Sequence, residues 1–277
     1  MNIGLVGKGF VGDAVYQNLK NKYEFCIYDI DVTKRNVNSI KELTSLSKII
    51  FVALPTPMKK DGSCDLSIIF NAMKDINNNY DDNIIILKST VVPGTCKEIL
   101  DKYPNLRLVF SPEFLTEANY VDDFKKCNRV ILGGDFKDTI ECSNMFKEVF
   151  PNKHYLFTDH NTSEMVKYFI NNFLSVKVMF ANEMKQICDA SNISYNEVKN
   201  LALFDDRLGK SHFMVPGPDQ ELGFGGTCFP KDINAMIKYA TTMGVDAHIL
   251  QSSWDKNLKI RINKDWLSMK GRAVSEE

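Results

Sequence analysis

Short apolar runs recur along the first half of the chain: NIGLV at 2–6, EFCIYD at 24–29, KIIFVAL at 48–54, NIIILK at 83–88, LRLVF at 106–110, RVILGG at 129–134 and HYLF at 154–157. Each is strand-sized. Polar or helix-like stretches separate most of them, such as DAVYQNLKNK after the first and DLSIIFNAMKDI between the third and fourth. Alternation of this kind predicts a parallel sheet with crossover helices. The pattern changes at Asn161. Asn161 with Glu164 three residues on resembles a capping box, and TSEMVKYFINNFLSVKVMFANEMKQICDASN then runs for about thirty residues without Gly or Pro. Met165, Phe169, Phe173, Phe180, Met184 and Ile187 recur at helical spacing, while others such as Met179 occupy further faces. A helix apolar on more than one side is buried on more than one side, so a subunit interface, and hence a homodimer, is expected here. Lys167 and Asn171 stand four apart on one face, which either solvent or a site would explain.

The expected fold is therefore α/β: a Rossmann-like nucleotide-binding domain with a parallel sheet over 1–160, an all-α domain over 161–260, and a C-terminal tail over 261–277. The last ten residues, small and charged, are expected to fray. At 277 residues, 44% hydrophobic and 25% charged, the composition is that of a globular protein with a proper core. A net charge of −1 gives no electrostatic case for nucleic acid or an anionic membrane. No apolar run is long enough to span a bilayer, and MNIGLVGKGF lacks a basic region followed by an apolar segment, so a cytoplasmic protein is expected. Seven cysteines without a CxxC pair fit a reducing compartment, and four scattered histidines give a metal site no support.

Chemistry enters first at the N-terminus. Gly7-Lys8-Gly9-Phe10-Val11-Gly12 follows the first strand directly and leads into a helix, and the second strand closes on Asp29. In that order the first glycine makes the turn and the second admits a pyrophosphate. The third lets helix pack on strand, and the acid accepts from ribose hydroxyls. Asp29 would repel a 2′-phosphate, which favours NAD over NADP, with Lys34 as a nearby counterweight. Pro55-Thr56-Pro57 and Ser89-Thr90 stand at the ends of the third and fourth strands, where such sheets bind ligands and where ordinary turns also occur.

The second chemical signal is GFGGTCFPKD at 223–232. Pro230 suits the first turn of a helix, which sets Cys228 at the helix N-terminus with Lys231 one turn in, an environment that stabilises a thiolate. The glycines leave no side chain to keep a substrate away. A small core cysteine in a tight loop is the alternative.

Together GKGFVG, LPTP at 54–57, KSTVVPG at 88–94, SPEFLTEA at 111–118, the helix with Lys167 and Asn171, DDRLG at 205–209 and GFGGTCFPKD resemble the UDP-glucose/GDP-mannose dehydrogenase family, over residues 1 to about 260. The resemblance implies NAD-dependent four-electron oxidation of the C6 alcohol of a nucleotide sugar, UDP-glucose being the first candidate. It makes Cys228 the nucleophile that retains the aldehyde as a hemithioacetal and then becomes a thioester. It makes Lys167 and Asn171 oxyanion stabilisers, Asp232 and Thr90 holders of the reacting water, and Glu113 a general base. Cofactor contacts are implied for Gly7, Gly9, Phe10, Val11, Gly12, Asp29, Lys34, Thr56, Thr90, Glu117 and Lys231. Substrate contacts are implied for Glu113, Phe114, Leu115, Glu117, Lys167, Asn171, Phe224, Gly225 and Cys228, with Arg207 reaching the site of a neighbouring subunit. Members of the family continue into a further nucleotide-binding domain, so a short form is expected. The loop SHFMVPGPDQEL at 211–222 is longer than in many relatives; it either replaces contacts of that domain or covers the site. Two other readings stay open. One is a two-domain NAD dehydrogenase of the 3-hydroxyacid or 6-phosphogluconate type, which needs no cysteine. The other is a non-catalytic binding relative.

Overall fold

Runs that are apolar at every position become strands covered on both faces. In the computed structural model, which describes residues 1–276, Ile49–Val52 (β3) and Ile84–Leu87 (β4) are buried throughout. With Asn2–Val6 (β1), Glu24–Tyr28 (β2), Arg107–Phe110 (β5), Arg129–Gly134 (β6) and His154–Thr158 (β7) they form one sheet of order β2-β1-β3-β4-β5-β6-β7. Alternate residues feed two cores. Ile84 and Ile86 join Ala14, Val15 and Phe146 on one side, while Ile85 and Leu87 join Leu43, Met73 and Ile99 on the other. The covering helices are Phe10–Leu19 (α1), Ile40–Leu46 (α2), Ser67–Asn78 (α3), Thr95–Lys102 (α4), Tyr120–Lys126 (α5) and Phe136–Lys147 (α6).

The first five strands are parallel, but β6 pairs antiparallel to β5, and β7 is parallel to β6. This corrects the expectation of a parallel sheet at its last two strands. The connection after β5 places α5 against α1, where Asn18 Nδ2 donates to Val121 O at 3.1 Å and Tyr120 OH to Asp13 at 3.0 Å. Without a crossover, the chain re-enters the sheet at the end it left. Because β1 lies between β2 and β3, the order reverses there, and the loops after β1 and β3 flank the position where open α/β sheets bind ligands.

This sheet unit comprises residues 1–56 and 66–167; a second unit comprises 57–65 and the chain from Tyr168 onward. The second is helical, with most of His160–Ala190 (α7), then Tyr195–Ala202 (α8), Phe229–Thr242 (α9) and His248–Ile260 (α10). At 31 residues α7 is about 46 Å long. Its start differs from the expected capping box. Asp159, not Asn161, accepts from Thr162 N at 2.9 Å, and Glu164 does not turn back to cap its own helix. Met179 is buried with Phe224 and Ile233, and Met184, partly buried, packs beside Ala181 and Val215, so both are covered within the chain rather than left for the expected subunit interface. The exposed apolar face consists of Met165, Phe169, Phe173, Phe180 and Ile187.

The expected fraying at the C-terminus is also corrected. Trp266 and Ala273 are each 1% exposed. Met58 N donates to Ala273 O and Ser275 N to Met58 O, both at 2.9 Å, so backbone pairing holds this segment down. The last of those ten residues, Glu277, lies outside the described residues. Among the described residues no helix is long and apolar enough to cross a membrane, and no group of three or more His, Cys, Asp or Glu side chains could hold a metal ion.

Candidate active site

The turn after β1 is built from backbone. Gly7 has φ +88°, and its N–H donates to Tyr28 O at 2.9 Å. Lys8 N donates to Asp29 Oδ2 at 2.6 Å, and Asp31 N to Oδ1 at 2.8 Å, which fixes the acid at the end of β2. A Cβ on Gly12 would stand 2.0 Å from Gly7 O, so helix and turn touch there. A Cβ on Gly9 would meet nothing within 4 Å. The turn therefore opens outward at the N-terminus of α1, where the N–H groups of Phe10, Val11 and Gly12 begin the helix. That donor set with a fixed carboxylate beside it fits a dinucleotide carrying a free ribose 2′-OH. Phe10 packs edge-on against Tyr120 at 6.4 Å. Lys34 stands apart on the surface, 3.5 Å from Asp31.

The strand ends after β3 and β4 are stitched together: Ser89 Oγ accepts from Leu54 N at 2.8 Å, and Thr56 Oγ1 donates to Thr90 O at 2.7 Å. Further along the sheet, Glu113 is buried, with Oε2 3.0 Å from Lys88 Nζ and Oε1 accepting from Phe114 N at 3.0 Å. Lys88, 4% exposed, also donates to Ser111 O at 3.2 Å. The Phe114 ring has Arg129 at 4.8 Å and Lys167 Nζ at 5.6 Å. Lys167 is buried, and no carboxylate among the described residues pairs with it, which leaves its charge available. Leu115 packs onto the core, and Glu117 is exposed.

Sequence reasoning missed a second buried carboxylate of the sheet unit. Glu164, fully buried, accepts from Gly94 N at 2.7 Å and Cys96 N at 2.8 Å, and so caps α4 from a distant helix. Burial raises its pKa despite those two N–H groups. Only its spacing from Asn161 had singled it out, and that pointed to a different partner.

In the second unit, Cys228 occupies the N-cap position of α9 with Pro230 in the first turn. Its sulfur lies 3.6 Å from Thr227 Oγ1 and is half-buried. One turn on, the buried Asp232 carboxylate is held on both oxygens: Asn171 Nδ2 donates to Oδ2 and Lys231 Nζ to Oδ1, each at 2.6 Å. Burial works against the Lys231 ammonium, but Asp232, Cys228 and Cys64 outweigh it and hold its pKa above the usual lysine value. Asn171, Cys228, Lys231 and Asp232 thus form one cluster. Arg207 stands outside it, exposed and bidentate to Asp205 through Nε at 2.9 Å and Nη2. The loop at 211–222 is anchored within its own unit: Tyr195 OH donates to Phe213 O at 2.8 Å, and Val215 is buried.

Residues 37–153 match the NAD binding domain of the UDP-glucose/GDP-mannose dehydrogenase family, and residues 161–259 match its central domain. The chain belongs to that family. Among curated relatives, the UDP-glucose 6-dehydrogenase of Rickettsia prowazekii is 32% identical over 213 residues, covering 73% of this chain and 47% of its own. That of Rickettsia conorii is 32% identical over 287 residues, covering 91% and 65%. The chain therefore spans about half to two thirds of the length of these relatives. A UDP-glucose dehydrogenase from Pyrobaculum islandicum superposes with a TM-score of 0.82 at 24% identity, over 93% of this chain and 68% of that one, a likeness of fold.

Proposed function

We propose that this chain oxidises the C6 alcohol of a nucleotide sugar to the carboxylate, with UDP-glucose to UDP-glucuronate the first assignment. The observation that carries the reading is the second-unit cluster: a half-buried cysteine at a helix start, one turn from a carboxylate held by a lysine and an asparagine. NAD, when bound, accepts a hydride in each of two oxidations. The residues at 7–12, Asp29, Thr56 and Thr90 would hold it, with Glu117 and Lys231 as further contacts. Glu113 takes the alcohol proton. Two of its roughly four acceptor positions are used by Lys88 and Phe114 N, which leaves others for the substrate. The Cys228 sulfur adds to the aldehyde carbon, and the carbonyl oxygen becomes an oxyanion stabilised by Lys167 and Asn171. Loss of the second hydride gives a thioester. Water held by Asp232 and Thr90 attacks it, the C–S bond breaks, and acid and thiol are released.

The exposed face of α7, with Phe169 71% and Phe173 59% exposed, supports a homodimer, and the exposed Arg207 suits a contact with the partner's substrate. Phe114, Leu115, Phe224 and Gly225 are assigned to the substrate by the same reading.

A second reading has one observation behind it: a 3-hydroxyisobutyrate dehydrogenase from Mycobacterium tuberculosis superposes with a TM-score of 0.75 over 93% of this chain at 15% identity. Supplying UDP-glucose, GDP-mannose and N-acetylated analogues with NAD separates the two. Two NADH for each sugar acid, lost in Cys228→Ser, is the expected result. One NADH per turnover that survives Cys228→Ser would defeat the proposal.

A further inference from the structure

The glycines before Cys228 do not all face a ligand. A Cβ on Gly223 would stand 2.2 Å from Asn257 Oδ1, and a Cβ on Gly225 would stand 2.3 Å from both Arg261 Nη2 and Asp265 Oδ1. Only Gly226 has open space where a side chain would go. At 223 and 225 the missing side chains make room for polar side chains of the same unit.

Those side chains do what a neighbouring strand would do. Asn257, fully buried on α10, accepts from Phe224 N at 2.8 Å and donates to Phe224 O at 3.0 Å. Asn182 on α7 accepts from Gly223 N at 3.1 Å, and Asp265 accepts from Gly226 N at 3.0 Å. Arg261, 3% exposed, braces this row through Asp265 at 3.2 Å and Asp219 at 2.7 Å. The loop belongs to no sheet, yet three of its amides and one carbonyl are satisfied. Phe224 has its ring buried and both backbone groups paired, so it serves as the loop's anchor.

We propose that Asn257 and Asp265, with Arg261 behind them, are positioning residues that hold the 223–227 loop and thereby fix Cys228 at the start of α9. The functional part rests on Cys228 being the nucleophile; the structural part does not. The test uses hydrogen–deuterium exchange and Cys228 alkylation by iodoacetamide in the full chain, beside turnover of UDP-glucose with NAD. In Asn257→Ala, amides at 223–226 are expected to exchange at least about tenfold faster while α9 and α10 keep their protection. Alkylation at Cys228 should rise severalfold as the half-buried sulfur becomes accessible, and kcat should fall at least about tenfold with the KM for NAD within about twofold. Asn257→Asp adds a readout that loss of packing alone would not move. A protonated carboxyl can both donate and accept like the amide, so activity relative to wild type should recover as pH falls, while Asn257→Ala shows no such recovery. If the Asn257 variants do not fold, Asp265→Asn should loosen the same loop at Gly226. Unchanged exchange and alkylation in folded variants would overturn the clamp. A wild-type chain inactive on UDP-glucose would instead overturn the assigned reaction and leave the exchange and alkylation results standing.

Discussion

Two glycine-rich turns in this chain each end in a helix start, and they are supported in different ways. The turn at 7–12 is held largely by backbone: Gly7 N on Tyr28 O, Asp13 N on Gly9 O, and Gly12 against the Gly7 carbonyl. Its ingredients all lie between β1 and the end of β2, within the first 29 residues. The turn at 223–228 is held by side chains from α7, α10 and the residues after α10, as many as 41 positions away in sequence. A local turn can be identified from its own residues, whereas a braced turn can be recognised by its motif and still not reveal what shapes it.

The comparison breaks most sharply at its chemical end. Replacing Cys228 with alanine removes a half-buried sulfur at a helix start, so packing loss is small, but the proposed covalent step disappears. Formation of sugar acid is expected to fall by about a thousandfold or more, with the melting temperature and NAD affinity nearly unchanged. Retained acid formation would show that the thiol is not the nucleophile; loss of folding would return Cys228 to the core.

Within the local turn, neighbouring glycines should separate. Gly12→Ala drives a methyl to 2.0 Å from a backbone oxygen that cannot move independently of β1. It is expected to cost more than about 3 kcal/mol in urea unfolding. Gly9→Ala meets open space, so stability should change by less than about 0.5 kcal/mol while NAD binding weakens at least about tenfold. Equal stability losses at both positions would mean that neither glycine is there for a ligand.

The same contrast explains what the sequence disclosed. All seven strands stand where the apolar runs put them, because each run is strand-sized and apolar in its own residues. The long helix and the start of α9 at Phe229 follow from local signals as well. The reversal at β6, the cap supplied by Glu164 and the Asn257 clamp involve partners that local spacing does not specify. Met179 and Met184 illustrate the limit: helical spacing assigns each to a face, but only tertiary packing shows that Met179 is buried and Met184 partly covered within the chain.

Glu164 shows that remote bracing is not confined to the second unit. Burial holds its pKa above the ordinary 4.5, so the folded state binds its proton more tightly than the unfolded chain does. Its stabilising contribution is complete below 4.5 and declines as pH rises through the elevated value. Urea midpoints across that range should therefore fall more steeply for wild type than for Glu164→Gln. The amide should be less stable at the acid end, where one of the two N–H groups at Gly94 and Cys96 loses its best acceptor. Parallel curves would remove Glu164 from the pH response.

The smallest effect expected is also local, at the acid beside the first turn. Lys8 N and Asp31 N fix the two oxygens of Asp29 at the end of β2, so the carboxylate cannot swing aside for a bulkier ribose. A 2′-phosphate brought within about 4 Å would meet a repulsion of ~1 kcal/mol in water and ~4 kcal/mol near a protein surface. Asp29→Asn keeps the shape and an oxygen to accept from Lys8 N, and removes the charge. The ratio of kcat/KM for NAD over NADP is therefore expected to narrow about tenfold, mostly through better use of NADP. Lys34 cannot produce that narrowing, because it pairs with Asp31 and its charge is the same in both proteins. A ratio unchanged in Asp29→Asn would place cofactor choice elsewhere and leave Asp29 as a structural fastener of the turn.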